Sequence, residues 1–321
     1  MKLLVLGGTK FLGRHAVDAA LAGGHEVTIF TRGQTNPELF PGVEHLHGDR
    51  DGSLDALRGR SWDGVVDTSG YVPRIVRQSA ELLRDHVQRY VFVSSISVYA
   101  DFSGPITEAT SVAELEDPTT EQIDENYGAL KAACERVVEE AYGERSARVR
   151  AGLIVGPYDP TDRFTYWPRR IALGGEVLGP GDPEAPVQFI DARDLAAWLV
   201  RLALTGPGGT FNATGPAQPL TFAQLLERAQ SATGSDADIV WIDEQRVLDA
   251  GVQPWMELPL WLPGSDYAGM ARADISSALA AGLAFRPVEE TIVETLAWDR
   301  TVDGDRPTLA PEKEREILAA R

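Results

Sequence analysis

The chain has 321 residues, 43% hydrophobic and 24% charged, a globular composition that excludes a disordered chain. Its formal net charge of −18 repels phosphodiester backbones, so no nucleic-acid partner is expected. A single cysteine, Cys134, excludes an intramolecular disulfide; it lies in a helical pattern and reads as a small buried hydrophobe.

The apolar run KLLVL at 2–6 reads as a buried strand rather than a signal segment. The most apolar later stretch, LAAWLVRLAL at 195–204, is too short to span a bilayer and carries Arg201. A cytoplasmic protein without membrane contact is therefore expected, and the sequon Asn212-Ala213-Thr214 reads as a chance match. Further strands are predicted at 27–30, 43–46, 64–67, 89–94 and 147–151, with helices at 11–22, 74–85 and 122–142. Strands separated by helix-length segments imply parallel pairing with right-handed crossovers, hence an α/β doubly wound sheet. Ligands of such sheets bind beyond the carboxyl ends of the strands.

The second half is rich in Pro, Gly and Trp. Helices are predicted near 192–204, 221–233, 273–281 and 288–300, and short strands near 187–190 and 210–213. We read residues 1–155, also receiving 187–213, as a Rossmann-type nucleotide-binding domain. Residues 156–321 read mainly as a smaller α+β substrate domain, and the tail at 304–321 ends in a short charged helix without visible chemistry.

The first strand runs into Gly7-Gly8-Thr9-Lys10-Phe11-Leu12-Gly13 and then a helix. A turn this tight needs residues without a Cβ where a pyrophosphate approaches a helix N-terminus. Arg14 and His15 stand where a triphosphate-binding loop needs Lys and Ser/Thr, which disfavours a nucleoside triphosphatase; a merely tight turn is the competing reading. The second strand ends in Thr31-Arg32-Gly33. An acidic residue there would hold a ribose 2′-hydroxyl, whereas Arg32, helped by Lys10, suits a 2′-phosphate; a solvated loop arginine is the bland alternative. Asp49 and Arg50 follow the third strand, with Asp49 placed to accept a hydrogen bond from an adenine amino group. His45, His47 and Asp49 share one strand parity, but five histidines and no helical His pair leave no metal expected.

Thr68-Ser69-Gly70-Tyr71 and Ser94-Ser95-Ile96-Ser97 close two further strands, small residues of the kind a cofactor ribose and a substrate oxygen require, though they are also common in loops. Tyr127 and Lys131 lie four apart on a helix and share a face. A neighbouring ammonium favours the phenolate and draws its pKa toward the working range.

With these motifs in this order, the chain resembles the extended short-chain dehydrogenase/reductase superfamily, of the NAD-dependent epimerase/dehydratase type. GGTKFLG and ELPLWLP (257–263) are similar to segments of bacterial reductase-like members and of the chloroplast stem-loop-binding branch. The resemblance implies Tyr127 as acid/base, Lys131 as its tuner and ribose ligand, and Ser95 as the partner of the reacting oxygen. It also implies a homodimer through the 74–85 and 122–142 helices. Leu153 and Val187 stand where sugar-nucleotide epimerases place Asn and Arg on the substrate pyrophosphate, so an NDP-sugar is not expected. Tyr71, Ser97, Leu153, Trp167, Val187, Trp255 and Trp261 are the candidate substrate residues, with Trp241 and Tyr267 as further aromatics. Arg169 and Arg170 are the only nearby cations that could replace the missing diphosphate partners, and they read as a solvated helix face.

The expected function is hydride transfer between NADP(H), favoured over NAD(H), and a carbonyl or alcohol on a small apolar molecule. Uncharged cyclic or aromatic ketones are the expected substrates. The alternatives are an epimerase that recycles its cofactor, and a non-catalytic nucleotide-sensing or RNA-associated relative.

Overall fold

The computed structural model describes residues 1–303 and 308–320, so the expectations for 304–307 and 321 lie outside the described residues. The first half alternates β1 (Lys2–Leu6), α1 (Phe11–Ala22), β2 (Glu26–Thr31), β3 (Glu44–His47) and β4 (Trp62–Asp67). It continues with α2 (Pro73–Leu83), β5 (Val87–Ser95), α3 (Ile123–Tyr142) and β6 (Ser146–Ala151). Short strands β7 (Ile154–Val155), β9 (Pro186–Val187), β10 (Ile190–Asp191) and β12 (Leu220–Thr221) knit the second half, around α4 (Tyr166–Ala172) and β8 (Glu176–Pro180). Then come α5 (Ala192–Leu204), β11 (Gly209–Ala213), α6 (Phe222–Thr233), β13 (Asp238–Ile242), α7 (Glu244–Asp249), α8 (Ser276–Ala280), α9 (Val288–Asp299) and α10 (Pro311–Ala319).

Seven strands form one parallel sheet in the order β11-β6-β5-β4-β1-β2-β3. Strand parity divides its residues between two cores. Leu3, Val5, Val66, Val91, Val93 and Val149 meet α1 and α5 on one face. Leu4, Leu6, Val65, Tyr90 and Phe92 meet α2 and α3, with Cys134 buried among them, on the other. The sheet is thus the expected Rossmann-type one, and its strand order reverses between β1 and β4. Leu6 and Asp67 are register partners there, so the turn after β1 and the turn after β4 open side by side.

A separate core gathers residues from 153 to 318, including Phe164, Trp167, Phe189, Phe222, Leu226 and Ile292. Among its elements that escaped prediction, β8 and β13 pair in parallel, Glu176 to Asp238 and Pro180 to Ile242. Each is five residues with Gly, Pro or Trp inside, too short for a period to register. The strand predicted at 187–190 is instead two bridges serving different partners, β9 with β12 and β10 with β7. Asn212 of the sequon is fully buried, its side chain accepting from the Tyr99 hydroxyl and donating to the Asp274 carbonyl, which leaves no room for a glycan.

Candidate active site

At the switch point the chain turns through Gly7 and Gly8 at φ +109° and +105°, the left-handed side that favours glycine. A Cβ on Gly7 would stand 2.3 Å from the Thr68 hydroxyl, and one on Gly13 would stand 2.5 Å from the Gly8 backbone nitrogen. Any side chain here would therefore push β1, α1 and the β4 turn apart. The turn opens into a cleft of about 840 Å³ walled by Gly7, Thr9, Lys10, Phe11, Leu12 and Gly13. Arg32, Asp49, Arg50, Thr68 and Ser69 line the same cleft, as do Tyr71, Ser95, Ser97, Tyr127, Lys131, Leu153, Val187 and Trp255. The helix start and the glycine turn offer backbone N–H groups with close approach, and exposed Arg32 and Lys10 add positive charge, so these residues fit a dinucleotide.

Four assignments change. Gly70 does not line the cleft; its carbonyl accepts from Lys131 at 2.7 Å. Arg50 reaches the wall, but its guanidinium is taken by Asp67 (2.6 and 2.8 Å), Ser69 and Ser79. Asp67 is fully buried, and it also accepts from the Tyr90 hydroxyl and the Ser69 amide. Burial opposes the Arg50 charge, yet the Asp67 carboxylate more than offsets it and holds the pKa above its ordinary value. Arg50 is thus a strut beneath the turn after β4. Trp167 and Trp261 leave the site altogether: both belong to the second core, and the Trp167 indole donates to the Pro259 carbonyl at 2.7 Å. An aromatic ring this large is buried wherever the core can take it. Trp241 packs edge-on to Phe222, and Tyr267 is exposed away from the cleft.

Ser95 ends β5 and caps a short turn, its hydroxyl accepting from the Ser97 amide and donating to the Ser97 hydroxyl at 3.0 Å. Gly128 lets α3 come against this turn, since a Cβ there would lie 2.0 Å from the Ser97 carbonyl oxygen. That contact, not evident from the Tyr-x-x-x-Lys spacing, brings Tyr127 beside Ser95. The helix departs from regular geometry at Asn126, immediately before Tyr127.

Lys131 is buried, its Nζ donating to the Gly70 and Val93 carbonyls and lying 4.3 Å from the centre of the Phe92 ring. Desolvation lowers its pKa to about 8. The expected pull of Lys131 on the phenol is not what governs Tyr127 here. Burial raises the Tyr127 pKa, and the opposing influences are the Ser95 hydroxyl and the positive charge of Arg163.

Arg163 lines the cleft and was missed from sequence, because its loop (156–165) matches no motif. The cations named instead are engaged elsewhere: Arg169 with Asp162 and Asp299, Arg170 with Glu314. They form part-buried ion pairs, not a solvated face. Asp49 caps its own turn, accepting from the Asp51 amide. His45 bonds the Phe40 carbonyl, and no group of three potential metal ligands occurs among the described residues. No described helix is long and apolar enough to cross a membrane.

Residues 74–213 match the NAD dependent epimerase/dehydratase family. The chain is 25% identical over 213 residues to the chloroplast stem-loop binding protein of 41 kDa b of Arabidopsis thaliana, covering 61% of this chain and 53% of that protein. It is 26% identical over 249 residues to 2′-dehydrokanamycin reductase of Streptomyces kanamyceticus, covering 73% and 67%. In fold it is similar to the UDP-glucuronic acid 4-epimerase of Bacillus cereus in complex with NAD. That likeness has a TM-score of 0.66 at 16% identity and covers 94% of this chain and 97% of the other. Residues 74–213 thus match the NAD dependent epimerase/dehydratase family model on a Rossmann-type parallel sheet with a glycine turn at its switch point, and the chain is similar to proteins of that family.

Proposed function

We propose that the protein is an NADP(H)-dependent reductase or dehydrogenase acting on a carbonyl or alcohol of a small apolar molecule. The observation that carries this reading is the wall beyond Ser95 and Tyr127. It is built from Leu153, Val187, Trp255, Leu260, Leu262 and Met270, with hydrocarbon at the two positions where a sugar-nucleotide enzyme would grip a diphosphate. Burying phosphate against such a wall costs several kcal/mol unless other donors replace water.

The nicotinamide, when bound, supplies or accepts the hydride. Tyr127 holds the proton that the reacting oxygen gains on reduction, and the Ser95 hydroxyl fixes that oxygen within reach of it. Lys131 stands one turn along α3, positioned for the ribose, its depressed pKa near 8 reflecting the dry pocket around it. At the other end Arg32 closes β2 where the turn residues Thr31-Arg32-Gly33 include no carboxylate, which favours a 2′-phosphate over a bare hydroxyl. The net charge of −18 argues against a nucleic-acid role, although one relative is named for stem-loop binding.

The test is Tyr127→Phe, which removes only a hydroxyl. Turnover of an aromatic ketone with NADPH should fall by roughly two orders of magnitude or more, while NADPH titration and the melting curve stay near wild type. Near-normal turnover by the variant rules the assignment out. An epimerase would instead copurify with tightly held oxidised cofactor, which mass spectrometry of the purified protein detects.

A further inference from the structure

The loop that carries Arg163 is built with unusual care for a segment with no obvious structural duty. It enters through Gly156 and Tyr158 at φ +119° and +70°, and Asp162 also adopts a positive φ, +57°. For side chains other than glycine such backbone is costly and persists only where the surroundings impose it. Here the surroundings are explicit. Asp159 is fully buried and accepts from the Thr161 amide (2.9 Å) and hydroxyl (2.6 Å). Asp162, also buried, is clamped by the Arg169 guanidinium at 2.6 Å. Immediately after these two anchors Arg163 donates through Nε to Thr161 Oγ1 at 3.0 Å, and it lines the cleft that holds Tyr127.

Arg163 joins none of the ion pairs found among the described residues. Of the other cations of the cleft, Lys10 belongs to the glycine turn after β1, at the dinucleotide end, and the rest are spoken for or remote. Arg50 is bound to Asp67, and Lys131 is buried on two carbonyls. Arg32 closes β2, three strand spacings from β5, which is about 14 Å across the sheet. Gln188, the other polar side chain on this wall, both donates to and accepts from the Ala273 backbone. A guanidinium fork with its two terminal nitrogens open, in an otherwise hydrocarbon wall, is matched to a planar oxyanion.

We propose that Arg163 grips a carboxylate on the substrate, so that the molecule reduced here is an apolar, ring-bearing keto acid rather than a neutral ketone. One fork pairs with one carboxylate; a diphosphate would leave further charge against Leu153 and Val187. The charge also bears on the chemistry, since Arg163 is close enough to favour the ionised form of Tyr127, and an anion docked on it would weaken that influence. The assignment rests on the reductase reading for the site but is separable from it in experiment.

Benzoylacetate and benzoylpropionate, each beside its methyl ester, are titrated calorimetrically into the full chain saturated with oxidised NADP, and NADPH-driven turnover is followed separately. At least one acid should bind about ten- to a hundredfold more tightly than its ester. R163M should bring that acid to the affinity of the ester and leave the ester unchanged, which also reports an intact fold. R163K should recover part of the preference, keeping the charge and losing the fork. Acid and ester binding equally to the wild type, or neither binding, overturns the proposal, as does an acid preference that survives R163M. An Arg163-dependent preference without turnover of any ketone leaves the carboxylate grip standing and removes the reductase reading instead.

Discussion

Lys131→Met replaces a buried ammonium with an apolar chain of similar length, and its effect on stability should depend on pH in a calculable way. In the native protein desolvation lowers the lysine pKa to about 8 from the usual 10.5. Below pH 8 both folded and unfolded chains carry the proton, and the fold bears the full cost of the buried charge. Between 8 and 10.5 the folded chain releases the proton while the unfolded chain retains it, so wild-type stability rises with pH across this window. At about 1.4 kcal/mol per pH unit, the gap corresponds to about 3 kcal/mol. Methionine has no such term. The variant also leaves the Gly70 and Val93 carbonyls without the donor they have in the wild type, a penalty that does not change with pH. Urea unfolding of cofactor-free wild type and variant from pH 7 to pH 10.5 isolates the lysine, because the other titrating groups cancel in the difference. The stability of the wild type relative to the variant should climb by about 3 kcal/mol across that range. A difference that is flat with pH would show that Lys131 titrates as an ordinary solvated lysine, and the desolvated pocket described around it would be wrong.

Three other outcomes are expected. Asp67→Asn strips the buried Arg50 of its counter-charge and should cost about 3–5 kcal/mol in chemical denaturation; a loss under 1 kcal/mol would mean that the pair is solvated. Arg32→Ala should weaken NADPH by about 1.5–3 kcal/mol and leave NADH nearly untouched, so equal calorimetric affinities for the two cofactors in the wild type would make Arg32 a bystander. UDP-, GDP- and dTDP-sugars should produce no saturable thermal shift, and clear stabilisation by any of them would move the epimerase reading to first place.

Much of the sheet was legible because its signals are local. Apolar runs such as KLLVL and YVFV have the length and flanks of buried strands, and a glycine turn between strand and helix announces a phosphate-binding end. The likeness among Gly7–Gly13, Ser95 and Tyr127–Lys131 could be read in chain order for the same reason. What the sequence could not determine was which side chains are consumed by one another. Arg50 and Arg163 look alike on the page, but a buried Asp67 from β4 takes the first, while the turn of Asp159 and Thr161 holds the second open to the cleft. Trp167, Trp255 and Trp261 were equivalent candidates until packing put two of them in the second core and one on the cleft wall. Gly128 matters only because Ser97, about thirty residues earlier, comes within 2.0 Å of where its Cβ would be. Strand and helix periods follow from neighbours along the chain. Pairing of charges, burial of rings and close approach of backbones depend on distances through space, so they were decided only when the tertiary structure brought distant segments together.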